Sequence, residues 1–190
     1  MRGRAVPASK DGPASESSRA RSRTLLLVAF VVYLVLLAWI ILWKLQVPYV
    51  GGGVLRTIKL VPYFPAGGDD GGDPLEVAAN VILFIPFGAF VGTLAPAWKW
   101  WKLLALFAGT SLIFEVVQYI LAIGSGDVTD VIDNTFGGMI GLGLLILTRR
   151  RAGERADTIA QRILVIGTGI LVLAVMLFLL SPLRFHAPRV

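Results

Sequence analysis

Three carboxylates and three amides stand where charge and polarity are costly, inside or at the edge of long apolar runs. Glu115 and Gln118 interrupt an apolar run from about Trp101 to Ile123. With Ser111 they fall at i, i+4 and i+7, which is one stripe of a helix. Asp127, Asp130 and Asn134 open the next run. Together with Gly137, Gly138 and Gly141 they project within roughly 100° of one another, since successive helical residues turn by about 100°. Asp133 falls about 40° outside that sector and is the weaker candidate. Asn80 enters near the start of a third run, ahead of Pro86.

The chemistry open to these residues is that of oxygens and amides. An ionised carboxylate inside hydrocarbon costs roughly 2.5 to 3.5 kcal/mol, so Glu115 must face a protein interior with a partner or be protonated. Asn80, Glu115, Gln118, Asp127, Asp130 and Asn134 form a candidate ligand-binding set. Within it Glu115 is the candidate general base, and Asp127 and Asp130 are the candidate ligands for a divalent cation. The chain has no cysteine and a single histidine, His186, beyond the last apolar run. That excludes thiol chemistry and disulfides, and leaves no basis for histidine-rich metal sites or a Ser-His-Asp triad. A purely structural reading competes: Glu115 would pair with Gln118 and Asn80 to lock neighbouring helices, and Asp127 and Asp130 would cap the helix they begin.

The elements that must position these side chains are membrane-spanning helices. The 190 residues are 56% hydrophobic and 16% charged, with a mean hydropathy of +0.76, outside the range of ordinary soluble domains. Apolar runs at about Thr24–Trp43, Glu76–Leu94, Trp101–Ile123, Thr129–Thr148 and Ile163–Ser181 are each long enough to cross roughly 30 Å of hydrocarbon. The fold class expected is all-α, a polytopic bundle of about five helices over residues 24–181. A disordered basic arm is expected at 1–22 and a short tail at 182–190. Pro86 should kink its helix by leaving the Ile82 carbonyl without its N–H. Gly88/Gly92 and Gly137/Gly141 are small-xxx-small pairs suited to close helix packing.

Thirteen of the 18 basic residues fall in the N-terminal arm, the loop after the second run and the basic loop at 149–162, all on one side of such a bundle. Asp69, Asp70, Asp73, Glu76, Asp127, Asp130 and Asp133 fall on the other. The positive-inside bias then places the N-terminus in the cytoplasm and the C-terminus outside. The net charge of +6 is spread over loops that flank helices, which suits anionic lipid headgroups and not nucleic acid. Trp98, Trp100 and Trp101 beside Lys99 and Lys102 read as an interfacial belt. The Lys59–Tyr63 segment is an apolar patch that could dip into the interface. The Gly/Asp stretch after it lacks the ligand spacing of a calcium loop.

Several of these segments, in order from Leu60 to Gly141, resemble the VanZ-like family of membrane proteins, whose prototype accompanies resistance to the glycopeptide teicoplanin. They are Leu60-Val-Pro-Tyr63, Asn80-Val-Ile-Leu-Phe-Ile-Pro-Phe-Gly88, Phe114-Glu-Val-Val-Gln118 and Asp127-Val-Thr-Asp-Val-Ile-Asp-Asn-Thr-Phe-Gly-Gly138. Three positions depart from the family pattern. An arginine usual before the paired aspartates is replaced by Gly124-Ser-Gly126, Lys59 stands where an amide is common, and Asp133 stands where an apolar residue is expected. If the family's arginine holds a phosphate or carboxylate, this chain does so differently, with Lys59 as the substitute on offer, or not at all.

The resemblance implies a multi-pass protein of the bacterial cell membrane. The leading expectation is binding of a lipid-linked or cell-wall-related ligand, or a glycopeptide, at an outer-leaflet groove, with lowered teicoplanin susceptibility as the result. The alternatives are a membrane enzyme working on a lipid phosphate or glycolipid by carboxylate and metal chemistry, and a purely structural polar cluster. The acyl-transfer activity attached to some family members would need an activated nucleophile, which no Cys, His or Ser/Lys arrangement supplies.

Overall fold

The computed structural model describes residues 13–44, 49–51, 58–63, 74–124 and 126–181. Among these residues, five α-helices run as α1 (Pro13–Trp43), α2 (Pro74–Leu94), α3 (Trp100–Leu121), α4 (Val128–Ala152) and α5 (Ala156–Leu180). Two short strands, β1 (Ile58–Lys59) and β2 (Gly126–Asp127), pair in parallel, with Ile58 opposite Gly126 and Lys59 opposite Asp127. Among the described residues, four stretches are long and apolar enough to cross a membrane, the last being Val128–Leu180. At about 1.5 Å per residue those 53 residues would span roughly 80 Å as one rod. The chain instead reverses at Gly153, whose φ is 54°, and Arg149 of α4 bonds Asp157 of α5 at 2.9 Å across the turn. An all-α polytopic transmembrane bundle results.

Two boundaries differ from the expectation. The basic arm placed at 1–22 is helical from Pro13 onward, because Ala, Glu and Arg favour helix and Pro suits its first turn even where hydropathy is low. Residues 1–12 and 182–190, with His186, lie outside the described residues, as do Asp69, Asp70 and Asp73. The basic loop placed at 149–162 is instead the end of α4, a single 3₁₀ turn and the first turns of α5. Its arginines keep the polar ends of two helices in water, so no long loop is needed.

α2 and α4 meet backbone to backbone. A Cβ built on Gly88 would lie 1.9 Å from the Gly138 carbonyl oxygen, one on Gly141 1.9 Å from that of Ile85, and one on Gly137 2.3 Å from that of Val81. In lipid, where tails compete with side chains for apolar contact, such close approach is what holds helices together. Around this seam Phe87 meets Phe84 and Phe107 edge to face, and Phe90 lies tilted against Tyr33 of α1. α2 runs on through Pro86 as one helix. The Tyr33 hydroxyl donates to the Leu83 carbonyl, next to the Ile82 carbonyl that Pro86 leaves without its N–H, and ties α1 to α2 at that turn.

The helices alternate in direction, so charges sort to the two ends. Glu76, Glu115, Asp127, Asp130 and Asp133 share one end with Lys44 and Lys59, while Arg21, Arg23, Lys99, Lys102, Arg149–Arg151, Arg155 and Arg162 share the other. Exposed Trp98, Trp100 and Trp101 ring the basic end, with Lys102 Nζ 5.5 Å from the Trp101 ring.

Candidate functional site

The polar stripe of α3 faces inward: Ser111, Glu115 and Gln118 are all buried. Helix α4 starts beside it because Asp127, in extended conformation, caps the helix by accepting from the Thr129 N–H at 2.8 Å. The Asp127 N–H in turn donates to Glu115 Oε2 at 2.8 Å. Glu115 therefore ends at the α4 N-terminus, where backbone N–H groups favour negative charge. It stands only six residues from the end of α3 at Leu121, about 9 Å along the axis and so nearer the membrane surface than a midplane position.

The remaining candidates are tied in around this pair. Asn80 of α2 donates to Asp130 Oδ1 at 2.8 Å. Asn134 donates to Ser111 Oγ at 2.8 Å, and that hydroxyl reaches the Asp130 carbonyl at 3.4 Å. Gln118 does not pair with Glu115 or Asn80; its amide donates to the Ile41 carbonyl of α1 at 3.0 Å. All six sequence candidates thus lie at one end of the bundle, with Asp127 spending one oxygen on its cap. Of the two expected caps, Asp127 caps α4, whereas Asp130 is turned to Asn80.

Asp133 belongs with them. It is only 4% exposed and accepts from the Tyr63 hydroxyl at 2.8 Å, while the Tyr63 N–H donates to Thr129 Oγ1 at 3.1 Å. The 58–63 segment is therefore a strap laid over the start of α4, held by β1–β2 pairing and by Tyr63. The Asp133 hydrogen bond lifts the Tyr63 phenol above its usual range. Glu115 Oε1, Asp133 Oδ2 and Asn134 Oδ1 are buried with no hydrogen-bond partner among the described residues.

A cleft of about 370 Å³ opens beside this network, lined by Lys44, Glu76, Asn80, Gln118 and Asp130 on its polar side and by Ile40, Ile41, Leu75, Ala79 and Leu83 on its apolar side. Lys44 and Glu76, which bond at 2.7 Å, were not among the sequence candidates. Each stands at the end of a helix, where no periodic pattern marks it. Partial burial works against the Lys44 charge, but its hydrogen bond to Glu76 and the charges of Glu76 and Asp130 outweigh that and raise its pKa. Lys44 thus supplies the cation of this cleft. Lys59, the expected substitute for the family's arginine, forms no ion pair among the described residues.

Three non-glycine residues adopt left-handed backbone among those described: Lys44, Tyr63 and Ala122, with φ of 47°, 58° and 53°. All three sit at this end, and each conformation costs roughly 1 to 2 kcal/mol. At Ala122 it lets the Ile123 N–H reach back to the Gln118 carbonyl at 3.1 Å, closing α3 beneath the cleft. As for metal, no three carboxylates come together among the described residues in a way that could share an ion. The donor set of Asp127 and Asp130 is too sparse, given the cap and the Asn80 bond, to hold a divalent cation by itself.

A bundle of long apolar helices with a polar cluster among the helix ends at one end defines the class: a polytopic membrane protein. Within that class the chain belongs to the VanZ/LLP1 family, whose model matches residues 30–149. It is also 34% identical over 157 residues to Protein VanZ of Enterococcus faecium, covering 82% of this chain and 92% of that protein. No solved structure matches it.

Proposed function

We propose that this chain sits in the bacterial cell membrane with its N-terminus in the cytoplasm, and that its cleft binds a lipid-linked or cell-wall-related ligand at the outer leaflet, lowering susceptibility to teicoplanin. The observation that carries this reading is the two-sided lining of the cleft. One wall is aliphatic, and the other presents an ammonium, two amides and carboxylates, which is the complement of an amphiphile lying at the membrane surface. The orientation rests on the crowding of arginines at the opposite end. Lys44 is the group that would meet a phosphate or carboxylate, and Asn80 and Gln118 would meet sugar or peptide amides. Membrane lipids are the expected surroundings and the source from which the ligand enters.

The test is glycopeptide susceptibility in a sensitive Gram-positive host expressing the wild type, Asn80→Ala, Glu115→Ala and Asp130→Ala at equal membrane levels. Protection by the wild type that is lost in Asn80→Ala and Asp130→Ala supports the cleft. Protection that survives both removes the cleft from the mechanism, and a wild type without effect removes the resistance reading itself.

A second reading, an enzyme acting on a lipid phosphate or glycolipid, is favoured by one observation. Glu115 keeps a buried oxygen without a partner, the state in which a carboxylate can take a proton. Turnover of a lipid phosphate by the purified protein, abolished in Glu115→Gln, separates that reading from binding alone.

A further inference from the structure

We propose that the opposite end of the bundle carries a second site, a groove between α1, α2 and α5 that holds the headgroup of an anionic phospholipid. The groove encloses about 760 Å³ and includes Arg23, Arg162, Ser22, Thr158 and Gln161 in its lining. Arg23 and Arg162 form no ion pair among the described residues. The acidic residue that shares the groove, Asp157, is engaged by Arg149 Nε at 2.9 Å, while an Arg149 terminal nitrogen reaches the Gly92 carbonyl at 3.3 Å. Two guanidinium groups thus line one space with no ion-pair partner among the described residues. The Ser22 hydroxyl donates to Gln161 Oε1 at 2.6 Å, which ties up the amide oxygen and leaves the amide N–H donors of Gln161 for a ligand.

Depth selects a lipid over a soluble anion. Arg23 precedes Lys44 by 21 residues on one helix, roughly 32 Å, so the groove lies one hydrocarbon thickness from the cleft, at headgroup level. Directly below the arginines the lining becomes apolar, with Leu25, Leu26, Val165 and Ile166. Leu25 and Ile166 are exposed, so acyl chains can continue from the groove into the bilayer. Basic pockets between transmembrane helices are suited to this binding mode, because phosphate pairs with guanidinium in two-point contacts, and an anionic headgroup, unlike a zwitterionic one, brings no cation to oppose the arginines.

The experiment is native mass spectrometry of the full chain in detergent with phosphatidylglycerol or phosphatidylcholine added at equal concentration. The wild type and an Arg150→Gln/Arg151→Gln control, altered at exposed arginines of the same end, should retain phosphatidylglycerol in preference by on the order of tenfold. Arg23→Gln/Arg162→Gln should lose that preference. Ile166→Trp, which keeps both charges and narrows the groove, should weaken retention as well and stands in if the double variant does not fold. A preference unchanged by either alteration overturns the proposal. So does a preference lost equally in the control pair, which would mean unspecific charge attraction. Displacement of the lipid by inorganic phosphate at comparable concentration would overturn the choice of a lipid headgroup.

Discussion

Asn80 of α2 and Asp130 of α4 are joined by a 2.8 Å hydrogen bond at the top of the seam where the same two helices touch through glycine. Position and chemistry depend on one another here. The glycines bring the backbones close enough for a short amide to reach a short carboxylate, and the bond fixes the register at the end where the cleft opens. Removing Asn80 leaves a half-buried carboxylate oxygen without its donor, which should cost about 1 to 3 kcal/mol. In a double-mutant cycle of Asn80→Ala and Asp130→Ala, followed by thermal unfolding in detergent, the two losses should fall short of adding. Strict additivity would show that the bond contributes nothing.

The glycine seam makes a sharper stability prediction. Gly88→Ala and Gly141→Ala drive a methyl into a carbonyl of the facing helix, and the helices must separate, at a cost of about 1 to 3 kcal/mol or more. Gly143→Ala, two residues away on the same helix with open space around it, should be neutral or stabilising by about 0.5 to 1 kcal/mol. Equal midpoints for Gly141→Ala and Gly143→Ala would contradict the packing described.

Lys44 and Glu76 are both well exposed, so their ion pair should add no more than about 1 kcal/mol to stability. A role in ligand capture would nevertheless make the charge matter. Lys44→Met should leave the unfolding midpoint nearly unchanged while abolishing protection against teicoplanin, and Lys44→Arg should retain most of it. A variant that unfolds early, or one that protects as well as wild type, argues against that division.

The strap at 58–63 should respond to alkaline pH. Asp133 raises the Tyr63 phenol above its ordinary value of 10.0. The stabilising bond is therefore fully present below about pH 10 and is lost as pH rises through the raised value, when the phenolate can no longer donate. Spectroscopic titration of phenolate absorbance should show a late tyrosine step that Tyr63→Phe removes. A thiol placed at Leu60→Cys should become more reactive toward an uncharged reagent in Tyr63→Phe already at neutral pH.

The absence of cysteine gives a direct topology experiment. With a single cysteine at Val50 or at Lys99, a membrane-impermeant maleimide should label Val50→Cys in intact cells and Lys99→Cys only after permeabilisation. The reverse pattern would place the cleft on the cytoplasmic face.

Residue types and their spacing are enough to establish the class of protein and most of the polar cluster. Hydropathy sets which stretches must be helical in lipid, and alternation of charge between loops sets which ends lie together. The stripes Ser111-Glu115-Gln118 and Asp127-Asp130-Asn134 were legible because a helix repeats every 3.6 residues and fixes which side chains share a face. Charge and hydropathy also misled, making a loop of 149–162, where arginines merely decorate two helix ends. The tertiary structure alone decided the partners. Asp133 lies outside the α4 sector on an ideal helix, yet it is buried because Tyr63 reaches it from a strap 70 residues earlier. Gln118 bonds α1 and not its own stripe, and Lys44 and Glu76 join across 32 residues. Helical periodicity records a direction around one axis. Which neighbour occupies that direction depends on how closely α2 and α4 pack and where the loops cross, and those follow from contacts between residues far apart in the chain.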